Sequence, residues 1–365
     1  MNVGVFLNQT LKESFRQSLI EWYLAEKRDL PWRRTHDPYK IWVSEIMLQQ
    51  TRVDTVIPYY ERFIEAFPTL EDLASAEEEK LLKQWEGLGY YSRVRNLQAG
   101  VKEVQEKYNS VVPQTREEIS TLKGVGPYTA GAILSIAYQK PEHAVDGNVM
   151  RVLSRVLLIK EDIAKPKTRK VFEEAVKELI DPIDPSSFNQ GLMELGATIC
   201  TPTSPKCLLC PVRENCAAFF AGEQHDLPIK TKNKKTKSLQ YDVFIIQNEN
   251  GQFLMEKRPS SGLLANLWQF PMVEKVTLED ETIPLMQERY GIYFTKENEL
   301  GPLKHIFSHL TWNMNTLSGQ GVVDLGIPSS CKWLTIEEVN TVPMPVPMLK
   351  MWQVFQERGF ENDNK

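Results

Sequence analysis

The spacing of apolar residues along the chain changes near residue 230. From residue 9 to about residue 222, apolar side chains recur at intervals of three and four, as in Leu19, Trp22 and Tyr23. This spacing puts them on one face of an α-helix, and it predicts a mostly α-helical first part.

Beyond residue 240, short β-type runs separated by turns replace the helical spacing. Two helical stretches interrupt them, near Thr282–Tyr290 and Met348–Arg358. The pattern predicts a separate α+β domain. The predicted strands are Tyr241–Ile246, Phe253–Met255, Ile306–Met314 and Val322–Leu325.

Length and composition agree with this division. At roughly 150 residues per domain, 365 residues predict two or three domains. Residues 1–229 form the predicted helical domain, 230–238 a lysine-rich linker and 239–365 the α+β domain. With 25% charged and 42% apolar residues and no long apolar run, the chain is neither a membrane-spanning nor a largely disordered protein. The N-terminus lacks the features of a secretory signal, which predicts an intracellular protein.

Net charge hides a local distribution that matters for partners. The value of −5 argues weakly against a polyanionic partner. However, the acidic excess lies in residues 241–365, whereas lysine and arginine concentrate in 151–170 and 230–237. Local positive charge could therefore still lie along phosphates.

Four of the five cysteines lie within 17 residues, with the spacing Cys-x6-Cys-x2-Cys-x5-Cys. Disulfides are rare inside cells, so metal ligation explains the cluster better. Four thiolates suit either zinc or a [4Fe–4S] cluster, and the single Cys-x2-Cys pair favours iron–sulfur. The predicted ligands are Cys200, Cys207, Cys210 and Cys216.

In the segment Leu122–Gly131, two glycines precede Pro127, where a helix that continues through Ile136 is predicted to begin. The free N–H groups of such a helix start favour an anion, for which a DNA phosphate is one candidate. The alternative is a simple tight turn between two helices. The turn itself contains Lys123, Gly124, Val125 and Gly126.

Two carboxylates are candidates for chemistry. Glu45 is the one ionisable group in Ile41–Leu48, so we expect its carboxyl to be desolvated and its pKa raised. The alternative is a paired surface glutamate on an amphipathic helix. Asp146 lies about 20 residues after the glycine turn, where capping the next helix is the commonest role of an aspartate.

Together, the glycine hairpin, the downstream aspartate and the cysteine spacing resemble the helix-hairpin-helix DNA glycosylase superfamily, in its iron–sulfur branch. The resemblance covers nearly all of residues 9–222. It implies a two-lobed helical domain that holds double-stranded DNA between its lobes, and a [4Fe–4S] cluster rather than zinc.

Within that superfamily, Tyr128 takes the position of the lysine with which endonuclease III relatives cut the DNA backbone through a Schiff base. A tyrosine cannot form that imine. Leu30–Arg33, Trp42–Thr51 and Gly87–Arg93 resemble segments of the MutY family, which removes adenine mispaired with 8-oxoguanine or guanine. The resemblance therefore implies a monofunctional adenine glycosylase. The alternatives are an endonuclease III-like glycosylase/lyase and a non-catalytic DNA-damage binding protein.

The resemblance also implies residue roles. Glu45 would protonate adenine at N7, Asp146 would stabilise or covalently trap the cationic sugar, and Tyr128 and Asn148 would orient Asp146 and the transition state. Some relatives carry Glu where this chain has Gln190. The residues that match adenine-pocket positions are Arg28, Leu30, Trp32, Leu48, Val53 and Gln190.

Further positions match residues that contact the base opposite adenine, or the DNA beside it: Gln50, Thr51, Leu88 and Tyr90. Residues 262–271 resemble the opening of a Nudix domain, and Phe307, Ser308 and His309 match its 8-oxoguanine recognition loop. A Nudix hydrolase needs an Arg and three Glu to hold magnesium, but this chain has Pro284, Leu285, Glu288 and Arg289 there. We therefore expect a Nudix-like recognition domain without pyrophosphate hydrolysis. For the whole protein, we expect a monomer that does not associate with membranes.

Overall fold

The structure is a computed structural model that describes residues 8–231, 237–275 and 281–362. Contacts divide the chain into two compact units. The first comprises the described parts of Met1–Ser75 and Arg93–Lys232, and the second those of Ala76–Ser92 and Asn233–Lys365. Ala76–Ser92 thus belongs to the second unit, although it lies within the helical half of the sequence.

The first unit is helical, as its apolar spacing predicts. Short 3-10 turns at Pro31–Arg33, Cys207–Leu209 and Arg213–Asn215 join its longer helices. The α-helices are α1 (Gln9–Glu26), α2 (Pro38–Leu48), α3 (Val53–Ala66), α4 (Leu70–Ser75), α6 (Ser92–Tyr108), α7 (Arg116–Ile119), α8 (Pro127–Tyr138), α9 (Gly147–Val156), α10 (Thr168–Leu179), α11 (Pro185–Thr198) and α12 (Ala217–Ala221), while α5 (Glu78–Gln84) belongs to the second unit.

One core of the first unit brings together α1, α9, α10 and α11. Phe15 of α1 meets Phe188 of α11 edge to face, with ring centroids 6.2 Å apart. Gly196 of α11 faces Asn148 of α9 so closely that an added Cβ would lie 2.7 Å from the Asn148 Cβ. This packing fixes α9, and with it Asp146, against α11.

Local sequence signals set the starts of the helices that carry the candidate chemistry. The Asp37 side chain accepts a hydrogen bond from the Tyr39 N–H and begins α2, which has Pro38 in its first turn. Gly126 is the N-cap of α8, and Pro127 is its first residue. Asp146 caps α9, as its position in the sequence predicts.

The second unit is built on a seven-stranded sheet with the strand order β3-β2-β1-β6-β5, in which β4 also pairs with β1 and β7 with β2. The two long central strands, β1 and β6, run parallel, whereas the other pairs are antiparallel. The strands are β1 (Lys237–Gln247), β2 (Phe253–Lys257), β3 (Trp268–Gln269), β4 (Met272–Lys275), β5 (Ile292–Ile306), β6 (Leu310–Val323) and β7 (Cys331–Leu334).

Alternating side chains of β1 fill a core on each face of this sheet. Val243 and Ile245 join one core, while Phe244 and Ile246 join the other. Helices α14 (Ile336–Thr341) and α15 (Val346–Asn362) contribute to the first core, and α13 (Thr282–Tyr290) to the second. The predicted bounds of α13 are confirmed, and α15 is longer than predicted at both ends.

The prediction of a single strand at Ile306–Met314 was wrong. β5 ends at Ile306, the Phe307 N–H donates to the Leu310 carbonyl at 2.7 Å, and β6 begins at Leu310. The exposed polar residues Ser308 and His309 form the turn between two paired strands. Their alternation with apolar neighbours resembles that of one half-buried strand, which is why the pattern misled.

Part of the predicted linker lies outside the described residues. Thr231 is described, and its hydroxyl donates to Asp162 Oδ2 at 2.5 Å. Lys237 and Ser238, the last predicted linker residue, already belong to β1.

Candidate active site

A cavity of about 780 Å³ opens in the first unit, at the meeting of α2, α8, α9 and α11. Its volume lies within the range typical of small-molecule pockets. All the predicted catalytic and adenine-pocket residues line it, together with Gln50, Thr51, Gly124 and Gly126. These are Glu45, Tyr128, Asp146 and Asn148, and Arg28, Leu30, Trp32, Leu48, Val53 and Gln190.

Glu45 lies on α2 with a relative exposure of 5%. Burial raises its pKa to about 7, against the opposing effect of a hydrogen bond from Tyr128. The Tyr128 hydroxyl donates that bond to Glu45 Oε2 at 2.6 Å. The burial predicted from the apolar run is confirmed, and the carboxyl can hold a proton at neutral pH.

Asp146 is held by its own helix start. Its Oδ1 accepts from the Val149 N–H at 2.7 Å, and its Oδ2 accepts from Asn148 Nδ2 at 3.1 Å. Burial raises the pKa of Asp146, whereas both hydrogen bonds act to lower it. Arg151 in turn donates to Asn148 Oδ1 at 2.7 Å, which fixes the Asn148 amide toward the aspartate.

The apolar wall of the cavity includes Leu30 and Trp32, both largely buried. Trp32 packs edge to face on Tyr60, with ring centroids 5.4 Å apart. Gln190 Nε2 donates to the Ser186 hydroxyl at 3.0 Å, one turn earlier on α11. This bond leaves the Gln190 carbonyl oxygen as the group that can accept from a base edge.

Glu194, which our sequence analysis missed, is 1% exposed and also lines the cavity. Arg28 donates to it from Nε at 2.8 Å and from Nη2 at 2.7 Å, and Arg33 from Nη2 at 2.8 Å. Burial raises the pKa of Glu194, but the hydrogen bonds from both arginines outweigh burial and lower it to about 2. A signal was present, because Glu194 follows Gln190 by four positions and so shares its helix face.

The glycine hairpin contributes unequally to this region. Gly124, with φ +78°, and Gly126 line the cavity, whereas Lys123 is exposed outside it. The Val125 side chain is buried and its N–H donates to the Leu122 carbonyl at 3.1 Å. Val125 therefore supports the turn, and its N–H is engaged within the protein.

Gln50 and Thr51 follow the end of α2. Gln50 is exposed and has the left-handed φ of 58°. Arg93 Nη1 donates to the carbonyl oxygens of Ile46 and Met47, at 2.9 and 3.1 Å, and thereby satisfies the end of the helix. This arginine was noted in the sequence only as part of the Gly87–Arg93 segment.

The second unit brings two predicted DNA-contact positions together. The hydroxyl groups of Tyr90 and Ser308 lie 2.7 Å apart, in hydrogen-bond contact, and both residues are exposed. Phe307 stacks edge to face against Trp312 at 4.9 Å, whereas the Leu88 side chain is 7% exposed. His309 is exposed at the same turn.

At the end of α13, an arginine side chain pairs with an acid of the sheet. Arg289, which stands at a position where Nudix hydrolases carry a metal-binding Glu, contacts Glu256 Oε1 at 3.3 Å. Glu256 Oε2 also accepts hydrogen bonds from Tyr290 at 2.9 Å and Gln269 at 2.8 Å. Glu256 is thus engaged by three side chains of the same unit.

The four clustered cysteines line a second cavity of the first unit. Arg155, 1% exposed, reaches into this loop and donates from Nη1 to Cys200 Sγ at 3.2 Å and to the Thr201 carbonyl at 2.8 Å. In the described ranges, no three His, Cys, Asp or Glu side chains converge as a metal-ion site would require. The four thiols nevertheless line one cavity with the buried Arg155 cation beside them, which suits a thiolate-ligated metal cluster better than a single metal ion.

No helix within the described ranges has the length and apolar character needed to cross a membrane.

Comparison with known proteins gives two family matches. Residues 43–178 match the HhH-GPD superfamily base excision DNA repair protein family, and residues 242–354 match the NUDIX domain family. Among solved structures, a thermostable thymine-DNA glycosylase is 28% identical, with a TM-score of 0.53, and the match covers 58% of this chain and 98% of that one. A trapped endonuclease III–DNA covalent intermediate has a TM-score of 0.51 at 24% identity, which supports the fold of the helical part.

Full-length relatives cover almost the whole chain. The adenine DNA glycosylase of Homo sapiens is 38% identical over 94% of this chain and 74% of its own length. That of Rattus norvegicus is 37% identical, over 94% and 78%. That of Buchnera aphidicola subsp. Baizongia pistaciae is 34% identical, over 92% and 95%. The chain therefore belongs to the adenine DNA glycosylase family, enzymes that hydrolyse the N-glycosidic bond in base excision repair, and it joins a helical HhH-GPD domain to a Nudix-like domain.

Proposed function

We propose that the chain removes adenine paired with 8-oxoguanine or guanine in double-stranded DNA, without cutting the DNA backbone. The observation that carries this proposal is the hydrogen bond between buried Glu45 and half-buried Tyr128 in the same cavity as Asp146. An acid poised near neutral pH and a separate carboxylate are what glycosidic hydrolysis requires.

The first step is extrusion of the adenine nucleotide from the duplex, since its glycosidic bond cannot be reached in the stack. The flipped base enters the pocket of Leu30, Trp32, Leu48 and Val53, with polar contacts from Arg28 and Gln190. The amide of Gln190 can accept from the adenine amino group, but unlike the Glu of some relatives it supplies no proton.

Glu45 then protonates adenine at N7, which makes the base a neutral leaving group. Positive charge grows on the sugar as the bond breaks, and the Asp146 carboxylate opposes it by electrostatic stabilisation or by transient covalent capture. Asn148 and Tyr128 orient the carboxylates. Water completes the hydrolysis. Because Tyr128 replaces the Schiff-base lysine, the strand is left intact at an abasic site.

Recognition of the opposite base is assigned to the second unit, with Gln50 and Thr51 contributing from the first. The contact between Tyr90 and Ser308 supports a shared role for the turn Phe307–His309 and the Gly87–Arg93 segment. Ser308 offers a hydroxyl to the modified base edge, and Leu88 fills the gap left in the duplex. Lys123, Gly124, Val125 and Gly126 form the hairpin that meets the DNA phosphates.

The cofactor of the proposed enzyme is a [4Fe–4S] cluster held by Cys200, Cys207, Cys210 and Cys216. Support comes from the single cavity that these thiols line and from the cationic Arg155 beside Cys200. When bound, the cluster would join the four cysteine thiolates and so cross-link this loop. We further propose a monomeric enzyme that acts inside the cell on DNA.

A single-turnover adenine-release assay tests the function. Duplexes with A opposite 8-oxoguanine, guanine or thymine are compared, and the strand is examined with and without alkali. We expect release from the first two duplexes and strand scission after alkali treatment alone. Scission without alkali would establish a glycosylase/lyase instead. Duplex binding without release would establish a DNA-damage binding protein.

A further inference from the structure

We propose that Glu194 is a positioning residue, which fixes the side chains of Arg28 and Arg33 at the adenine pocket and balances their positive charge beside Glu45. The proposal rests on the adenine pocket assigned above and adds a group to it. Glu194 lies on α11, one turn after Gln190, with its carboxylate at the cavity wall.

The first argument is geometric. Arg28 binds both carboxylate oxygens of Glu194 through Nε and Nη2, and its backbone N–H also donates to Oε1 at 3.2 Å. A bidentate pair of this kind fixes the plane of the guanidinium. The Arg28 side chain is 38% exposed at the cavity, so without Glu194 its long stem would have many alternative rotamers.

The second argument concerns the chain between the two arginines. Arg33 donates from Nη2 to Glu194 Oε2 and from Nη1 to the Arg28 carbonyl at 3.1 Å. These bonds close a loop around Leu30 and Trp32, two residues of the apolar pocket wall. Glu194 therefore holds the whole wall segment Arg28–Arg33 in place, and its role is not limited to the Arg28 side chain.

The third argument is electrostatic. Glu194 meets two guanidinium groups, and the ring of Tyr23 faces Arg33 from α1, with the guanidinium carbon 5.3 Å from its centroid. Arg33 is also close enough to Glu45 to lower its pKa, while Tyr128 and Asp146 are the other charged or titratable groups acting on Glu45. Removal of the Glu194 charge leaves the field of Arg33 unopposed, so the proton on Glu45 is lost at lower pH.

Three variants separate the two parts of the role. Glu194→Gln removes the charge, and Glu194→Asp keeps the charge while shortening the side chain. Glu194→Gln combined with Arg33→Gln restores the local charge balance. Glu178→Gln is the matched control, because Glu178 pairs with Lys12 at 2.9 Å outside the cavity lining.

The measurements are the single-turnover rate of adenine release against pH, the affinity for an uncleavable A-analogue duplex, and the thermal unfolding temperature. For Glu194→Gln we expect the rate to fall on the order of 100-fold, which is the loss that a small misplacement of the substrate causes. The decline of the rate at high pH should begin at lower pH, and the double variant should return that decline toward the native position.

Glu194→Asp is expected to release adenine more slowly with the native pH profile, and Glu178→Gln to match the native enzyme. A native rate in both Glu194 variants would overturn the proposal. So would an unshifted pH profile in folded Glu194→Gln. If Glu194→Gln does not fold, Glu194→Asp decides the question by its rate. A native enzyme that releases no adenine would refute the proposed function itself, and that result is read before any variant is compared.

Discussion

The hydrogen bond from Tyr128 to Glu45 makes a prediction about pH with a definite sign. The bond, 2.6 Å long, stabilises the ionised form of Glu45 and so lowers its pKa, while burial raises that pKa to about 7. Glu45 must carry a proton to act as the acid. The rate of adenine release should therefore fall as pH rises through about 7.

Tyr128→Phe removes the donor but keeps the ring. A hydrogen bond to a charged group contributes roughly 1.5–3 kcal/mol, and one pH unit corresponds to about 1.36 kcal/mol. The fall in rate should therefore shift to higher pH by about one unit or more. With a pKa of about 7, roughly one tenth of Glu45 would be protonated at pH 8, and a shift of one unit would raise that fraction to about half in the variant.

The low-pH rate of the variant should itself fall about tenfold, the effect of losing one orienting hydrogen bond. The assay is single-turnover adenine release from an A:8-oxoguanine duplex between pH 5 and 9. Tyr138→Phe is the matched control: Tyr138 lies on the same helix but donates to the Val112 carbonyl at 2.7 Å. A high-pH decline that stays in place, or moves to lower pH, would refute the reasoning.

Three further predictions concern the recognition turn, the cysteines and the packing of α9. Phe307→Ala with Ser308→Ala should erode the preference for 8-oxoguanine over guanine, measured as the ratio of release rates; an unchanged ratio would disprove the recognition role. Purified protein should absorb broadly at about 410 nm, and a colourless zinc-containing preparation would argue against the cluster. Gly196→Ala should destabilise the enzyme by about 1–3 kcal/mol and slow adenine release, because its Cβ would meet Asn148. A variant with the unfolding free energy and the activity of the native enzyme would show that the close packing of α9 on α11 is not required.

Features set by local sequence were predictable. Proline and glycine mark the start of α8, and Asp146 caps α9 through its own side chain. The burial of Glu45 followed from its apolar neighbours, which occupy every face of a short helix. In each case, the determining interactions lie within a few residues of one another.

Features that depend on distant partners were not predictable. The helix face that Glu194 shares with Gln190 follows from their spacing of four, but the pairing of Glu194 with arginines more than 160 residues away in sequence has no local pattern. The turn at Phe307–His309 was read as strand because alternation continues through it, and strand pairing alone reveals the reversal. The apolar pattern also predicts no strand over most of β5. This strand lies at the edge of the sheet, and its exposed residues are largely charged or polar.

The central claim is that Glu45 supplies the proton that releases adenine. Glu45→Gln keeps the size of the side chain and a hydrogen-bond acceptor for Tyr128, but it has no proton to transfer at neutral pH. The decisive measurement is single-turnover adenine release by this variant, beside its equilibrium affinity for the same duplex. The account predicts a loss of rate of about 100-fold or more with native affinity. Release at the native rate would contradict it.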